Sequence, residues 1–132
     1  MNRREARTQA FLLLFQCEFQ PEGKDELLEA FLSEYNAGDQ ADYIKDVVNG
    51  VIEKKEELDE KLSEFLKDWT IKSISNVSRA VLRLGAYEMI FRDDIPNVVS
   101  VNEAVTLAKK YEGEEAAPFV NGILGSLKER LG

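Results

Sequence analysis

The first helix predicted for this chain places basic and aromatic side chains in one row. Arg3, Arg7, Phe11 and Phe15 are four residues apart, so in a helix they lie one above the other on the same side. Guanidinium groups beside aromatic rings suit single-stranded nucleic acid, because Arg pairs with phosphate while rings stack on bases. The alternative is an ordinary helix whose aromatic side chains are in the core and whose arginines face water. Spacing alone favours that alternative.

The composition excludes several kinds of catalytic site. The chain has no histidine and one cysteine, so imidazole catalysis, a Ser-His-Asp triad and a zinc site of histidines and cysteines are not available. Cys17 lies in the apolar helix and is expected to be a buried structural thiol. We interpret the mixed-charge segment 53–57 as a solvated helix face rather than a metal or acid–base site. The sequence therefore predicts a binding protein, with no enzyme activity, metal or cofactor.

Length and charge narrow the class of protein further. A chain of 132 residues fits a single domain, 1–132, and its net charge of −8 argues against non-specific coating of nucleic acid. Residues 22–46 are strongly acidic, which leaves room for a local basic patch at the N-terminus. A lone cysteine is typical of a reducing compartment, and no segment has the roughly 20 apolar residues that span a bilayer. We expect a cytoplasmic protein that does not enter the membrane.

Hydrophobic periodicity predicts an all-α fold, a compact bundle of six to seven helices without strands. The first four helices are expected near 2–19, 25–35, 40–66 and 77–92. A fifth begins at Ser100 and ends at Gly113, and the last starts between 115 and 118 and buries Leu131. The fourth is apolar nearly all round, which places it at the centre of the bundle.

Several residues are expected to shape the helix ends and crossings. Asn2 and Ser100 are each followed three residues later by Glu, which is the pattern of a capping box, and Asp39 is a candidate N-cap. Gly85 lowers helix propensity, and a close helix crossing would explain its presence. Asn121 lies among apolar neighbours and requires either a backbone partner or a ligand.

Two arginines of the fourth helix have open roles. Arg79 and Arg83 are one turn apart on its remaining polar strip. They could bind a phosphate or an acidic partner. Pairing with Glu103 or with another carboxylate at a helix junction is equally compatible with the pattern.

Six short motifs in the second half of the chain carry a resemblance to a known family. They are 79–84 (RAVLRL), 86–88 (AYE), 95–96 (IP), 101–105 (VNEAV), 107–109 (LAK) and 119–124 (FVNGIL). These motifs closely resemble the NusB family of bacterial transcription antitermination factors. The opening helix, with Arg3-Arg4-Glu5-Ala6-Arg7, is similar to that of the family, and the resemblance covers nearly the whole chain. It is weak only between about residues 20 and 42.

The resemblance implies an all-helical fold of two small packed subdomains and a specific set of partners. These are the boxA element of ribosomal RNA transcripts, bound as single-stranded RNA, and a ribosomal small-subunit protein that acts as NusE. Together they join RNA polymerase, NusA and NusG and suppress premature termination. Family members include monomers and dimers, so a homodimer stays open.

The resemblance also implies which residues bind RNA, namely the arginine-rich first helix and the start of the last helix. At the matching positions these are Arg3, Arg4, Arg7, Phe15, Lys109, Glu115 and Phe119. Three further motif residues, Asn102, Glu103 and Asn121, are expected mainly to hold helix junctions.

Two departures from the family pattern qualify these expectations. Glu5 lies inside the basic cluster and the chain is acidic overall, which predicts weak binding to RNA alone and a large contribution from the ribosomal protein. The same helical module occurs at the front of ribosomal RNA cytosine methyltransferases, but a chain that stops at Gly132 favours a free-standing factor. The alternative from another class is a self-associating helical module for protein interaction without direct RNA binding.

Overall fold

The computed structural model describes residues 1–132 and contains seven α-helices, one 3₁₀ turn and no strand, which confirms the all-α prediction. The chain forms two compact units, Met1–Glu53 and Lys54–Gly132, called here the N-terminal unit and the C-terminal unit. None of the helices combines the length and hydropathy needed to cross a membrane. The helices are α1 (Arg3–Phe19), α2 (Lys24–Glu34), α3 (Ala41–Glu53), α4 (Lys55–Ser63), α5 (Asn76–Phe91), α6 (Asn97–Tyr111) and α7 (Ala116–Leu131).

In the N-terminal unit, α1 packs against α2 and α3. The capping box predicted at its start is present, because Asn2 Oδ1 accepts from the Glu5 amide at 2.8 Å and Glu5 Oε1 accepts from the Asn2 amide at 3.0 Å. The predicted apolar face is buried, and the Cys17 thiol lies within it. Burial raises the pKa of this thiol, which keeps it protonated and unreactive at neutral pH.

The long third helix expected over 40–66 is wrong. Two helices, α3 and α4, occupy this stretch and are separated at Lys54, whose φ of −97° and ψ of 15° leave the helical region. The N-terminal unit ends at this break and the C-terminal unit begins. Glu53 and Lys55 on either side are good helix formers, so propensity gives no sign of the interruption.

In the C-terminal unit, α5 packs against α4, α6 and α7, as its apolar circumference predicts. Every residue from Ala80 to Met89 is buried. A serine caps the start of this helix, because Ser75 Oγ accepts from the amide of Ser78 at 3.0 Å. The centre of this unit is therefore a single buried helix.

Three smaller expectations are wrong. Ser100 does not cap α6, because this helix already begins at Asn97, after Pro96. The hydroxyl of Ser100 instead donates a hydrogen bond to Glu88 at 2.8 Å. Both side chains are buried, and each is the other's hydrogen-bond partner. Asp39 lies inside a 3₁₀ turn, Gly38–Gln40, and makes no capping bond. Leu131, in the last turn of α7, is 41% exposed rather than buried.

The close crossing expected at Gly85 is confirmed. A Cβ there would lie 2.7 Å from Leu124 Cδ1 and 3.4 Å from Ala104 Cβ, whereas a Cβ at Gly125 would meet nothing within 4 Å. Gly85→Ala is expected to cost about 1 kcal/mol, since overpacking outweighs the gain in helix propensity. Gly125→Ala is the matched control and is expected to stabilise by roughly 0.5–1 kcal/mol.

These free energies are measured by urea unfolding. Trp69 is the chain's single tryptophan and lies in the C-terminal unit, so its fluorescence follows the unit that contains both glycines. Equal stabilisation by the two alanines would contradict the close crossing.

Candidate nucleic-acid interface

The basic cluster of α1 is organised around a buried tyrosine of α3. The guanidinium carbon of Arg3 lies 4.3 Å from the ring centroid of Tyr43, and that of Arg7 lies 5.8 Å from it. The Nε of Arg3 also donates to Gln40 Oε1 at 2.6 Å. Contact with an aromatic face stabilises a cation while restricting its conformations. Tyr43 therefore holds two positive charges in fixed positions near the start of α1.

The three arginines differ in accessibility. Arg4 is exposed, Arg3 is half-buried, and only 4% of Arg7 is exposed. Among the arginines expected to bind RNA, Arg3 and Arg4 can therefore reach a phosphate directly. Arg7 contributes its charge from below the surface.

Aromatic rings continue the row of arginines along α1. Phe11 is buried, Phe15 is half-buried, and Phe19 at the helix end is 62% exposed. The Phe15 and Phe19 rings meet edge to face with centroids 5.3 Å apart. At about 1.5 Å per residue, the strip from Arg3 to Phe15 is roughly 18 Å long. The N-terminal unit thus presents cations at one end of a helix and aromatic edges at the other.

In the C-terminal unit, the residues expected to bind RNA lie around the turn between α6 and α7. Lys109 is exposed in the last turn of α6, Glu115 is exposed immediately before α7, and Phe119 is half-buried in the first turn of α7. Glu115 and Phe119 line a groove of about 390 Å³. Trp69 also lines it and is 55% exposed. The structure therefore brings Glu115 and Phe119 together and adds a tryptophan to them.

A hydrogen-bonded carboxylate fixes one side of this groove. Glu112, at the end of α6, accepts from the hydroxyl of Ser78 at 2.9 Å and bonds the hydroxyl of Ser75. Both serines are at the start of α5, where an anion is also stabilised by the helix dipole. The turn between α6 and α7 is consequently tied to α5.

The two arginines of α5 stabilise the fold. Arg83 makes a bidentate pair with Asp59 of α4, at 2.7 and 2.8 Å. Arg79 donates to the carbonyl oxygens of Ile71, Lys72 and Ile74 and so orders the segment before α5. Of the two roles left open by sequence, pairing with another carboxylate applies to Arg83. Arg79 uses backbone carbonyls, which sequence did not suggest.

The three motif residues expected to hold helix junctions lie in different environments. Glu103 is half-buried, whereas Asn102 and Asn121 are exposed. Exposed side chains do not support a role in packing, so the structure does not favour that role for the two asparagines. Asn121 faces outward on α7, next to the exposed Gly122. Its amide is available to a ligand rather than to a neighbouring helix.

Comparison with known families decides the affiliation of this chain. The model of the NusB family matches residues 4–129. The chain belongs to the NusB family. The transcription antitermination protein NusB of Acetivibrio thermocellus is 45% identical over 128 residues, which cover 96% of this chain and 88% of that protein. The NusB of Clostridium botulinum strain Hall is 44% identical, covering 96% of this chain and 99% of the relative.

Solved NusB structures have the same fold. NusB of T. maritima superposes with a TM-score of 0.90 at 35% identity, covering 98% of this chain and 92% of that one. A chain from a crystal structure of the antitermination factors NusB and NusE with double-stranded RNA superposes with a TM-score of 0.88 at 32% identity, covering 97% and 96%. The two-part helical architecture is therefore the NusB fold, and the curated relatives are antitermination factors.

The sequence analysis missed several residues that position the candidate interface. Gln40 and Tyr43 contact arginines of α1 that are about forty positions earlier in the sequence. A local sequence pattern cannot predict contacts at this separation. Trp69 was not among the residues expected to bind RNA. A large aromatic residue in a polar segment, beside Asp68 and Thr70, was the available signal.

Proposed function

We propose that this protein is an antitermination factor that binds boxA-type single-stranded RNA of ribosomal RNA transcripts. It does so together with a ribosomal small-subunit protein acting as NusE, and the assembly joins RNA polymerase, NusA and NusG. The observation that carries the proposal is the similarity, at a TM-score of 0.88, to a NusB chain crystallised with NusE and double-stranded RNA. This similarity supports RNA and NusE as partners, and the preference for a single strand is argued from the aromatic side chains.

The geometry of each unit supports a role in RNA binding. In the N-terminal unit, Arg3 and Arg4 are the accessible cations and Phe15 lies along the same helix. In the C-terminal unit, Lys109 supplies a cation and Phe119 a ring. Aromatic residues stack on bases only where these are unpaired, which favours single strands over a duplex. Arg7 is assigned an indirect role, since it is buried over Tyr43.

The charge of the protein implies that affinity for RNA depends on the partner. The net charge is −8, and few cations are accessible near the proposed contacts. Binding to RNA alone is therefore weak, because each neutralised phosphate contributes only one released counterion. A basic ribosomal protein adds cations and extends the surface that tracks the RNA backbone.

A fluorescence-anisotropy titration of labelled boxA RNA tests the proposal. We expect the ribosomal partner to raise affinity at least tenfold, and affinity to fall with salt by about 0.7 log–log units per phosphate contacted. A duplex of the same sequence is the control and should bind more weakly. Affinity that the partner leaves unchanged, or a duplex bound as well as the single strand, would contradict the proposal.

A further inference from the structure

The groove of the C-terminal unit has the size and lining of a site for one planar group. Its volume is about 390 Å³, within the usual range for small-ligand sites, and its lining includes Trp69, Ile74 and Phe119. Trp69 is 55% exposed, so a large aromatic face is open to solvent beside the groove. Aromatic faces of this kind bind nucleobases by stacking, with a contribution that does not depend on base identity.

Base identity depends on the polar edge of the groove, where two carboxylates differ. Glu112 is already bonded to the hydroxyls of Ser75 and Ser78, so its oxygens are occupied. Glu115 makes no hydrogen bond or ion pair within the chain and is exposed. The carboxylate available to a ligand is therefore that of Glu115.

A glycine makes room for this carboxylate. Gly113 has a φ of +145°, and a Cβ there would lie 2.5 Å from Glu115 Oε1 and 2.7 Å from Oε2. The Glu115 side chain therefore folds over the turn and lies against the backbone of Gly113, where any larger residue would place its Cβ. Glu115 lines the groove together with Phe119.

A carboxylate is an acceptor with two oxygens, so it is complementary to two adjacent N–H donors. Guanine offers this pair on one edge, at N1–H and the N2 amino group. Adenine and cytosine place an acceptor beside their amino group, which would face the second oxygen, and uracil offers a single N–H between two carbonyl groups. The edge of the groove therefore discriminates among bases that stack equally well.

We propose that this groove is a subsite for a single unpaired guanine, stacked on Trp69 and Phe119 and bonded through N1–H and N2–H to Glu115. The inference rests on the proposed function, since it takes RNA as the ligand, and it adds a base preference to it. Glu115 is then a specificity residue, because a carboxylate repels phosphate and contributes nothing to non-specific RNA affinity.

The test uses the fluorescence of Trp69, the chain's single tryptophan. The intact protein is titrated at low salt with uridine hexanucleotides carrying one central guanosine, inosine, adenosine or cytidine. We expect guanosine to quench Trp69 at about tenfold lower concentration than inosine, which lacks the N2 amino group and so loses the bidentate contact. Trp69→Leu is expected to weaken guanosine RNA about tenfold in a parallel anisotropy titration.

Two charge-matched variants isolate the carboxylate. Glu115→Gln is expected to remove the preference for guanosine over inosine, whereas Glu114→Gln, at an exposed position outside the groove, should retain it. RNA that binds by anisotropy with no quenching, or with equal quenching by all bases, would overturn the subsite and leave the proposed function standing. Failure to bind any RNA, even with the ribosomal partner, would overturn both.

Discussion

Arg83→Met is expected to lower the free energy of unfolding of the C-terminal unit by about 2–4 kcal/mol. The Arg83 side chain is 9% exposed and that of Asp59 is 20% exposed, and the two groups form a bidentate pair. Methionine retains most of the buried stem but leaves the Asp59 carboxylate without its cation in a poorly solvated position. Because Asp59 retains some contact with water, the expected cost lies below that of a fully buried pair.

Two further variants define this effect. Arg92 pairs with Asp94, whose side chain is 56% exposed, so Arg92→Met is expected to cost less than about 1 kcal/mol. The double variant Arg83→Met/Asp59→Leu removes both charges and should recover part of the loss. Urea unfolding followed through Trp69 measures all three. If Arg83→Met lowered the free energy of unfolding by less than Arg92→Met does, the Arg83–Asp59 pair would not be what holds α4 to α5.

Local rules predicted the helices whose ends depend on nearby residues. The capping box of Asn2 and Glu5 correctly predicted the start of α1, because a cap bonds amides only two or three positions away. The cause of this helix start lies within one turn of the chain, so the sequence alone was enough to predict it.

The errors arose where distant residues decide the outcome. Val51, Leu58 and Leu62 keep helical spacing across the break at Lys54, so periodicity could not separate α3 from α4. Ser100 and Glu103 match a capping box, yet the hydroxyl of Ser100 bonds Glu88 on another helix. A pattern of four residues cannot show which of two available partners a hydroxyl will take.

The candidate interface was predictable in its residue types but not in their accessibility. Resemblance to the family indicated the arginines of α1, whereas the burial of Arg7 depends on Tyr43, which is 36 positions later. Phe119 was named from its motif, but its neighbour Trp69 is fifty residues earlier. Spatial neighbours of this kind require the fold.

The N-terminal arginines are expected to give the largest effect on RNA binding. The double variant Arg3→Ala/Arg4→Ala removes two accessible cations, and the counterion contribution of two phosphate contacts implies roughly 25-fold weaker binding at 0.1 M salt. Lys55→Ala/Lys61→Ala is the matched control. It removes the same charge from exposed positions on α4, outside the proposed contacts.

Titration of labelled boxA RNA into the native protein and both double variants, with the ribosomal partner present and over a range of salt concentrations, tests RNA binding most directly. Circular dichroism first verifies that each variant is folded. We predict that Arg3→Ala/Arg4→Ala lowers the log–log salt slope by about 1.4 together with the affinity, while the α4 variant matches the native protein. Equal affinities and equal slopes for the two double variants would contradict an RNA-binding role for the N-terminal helix.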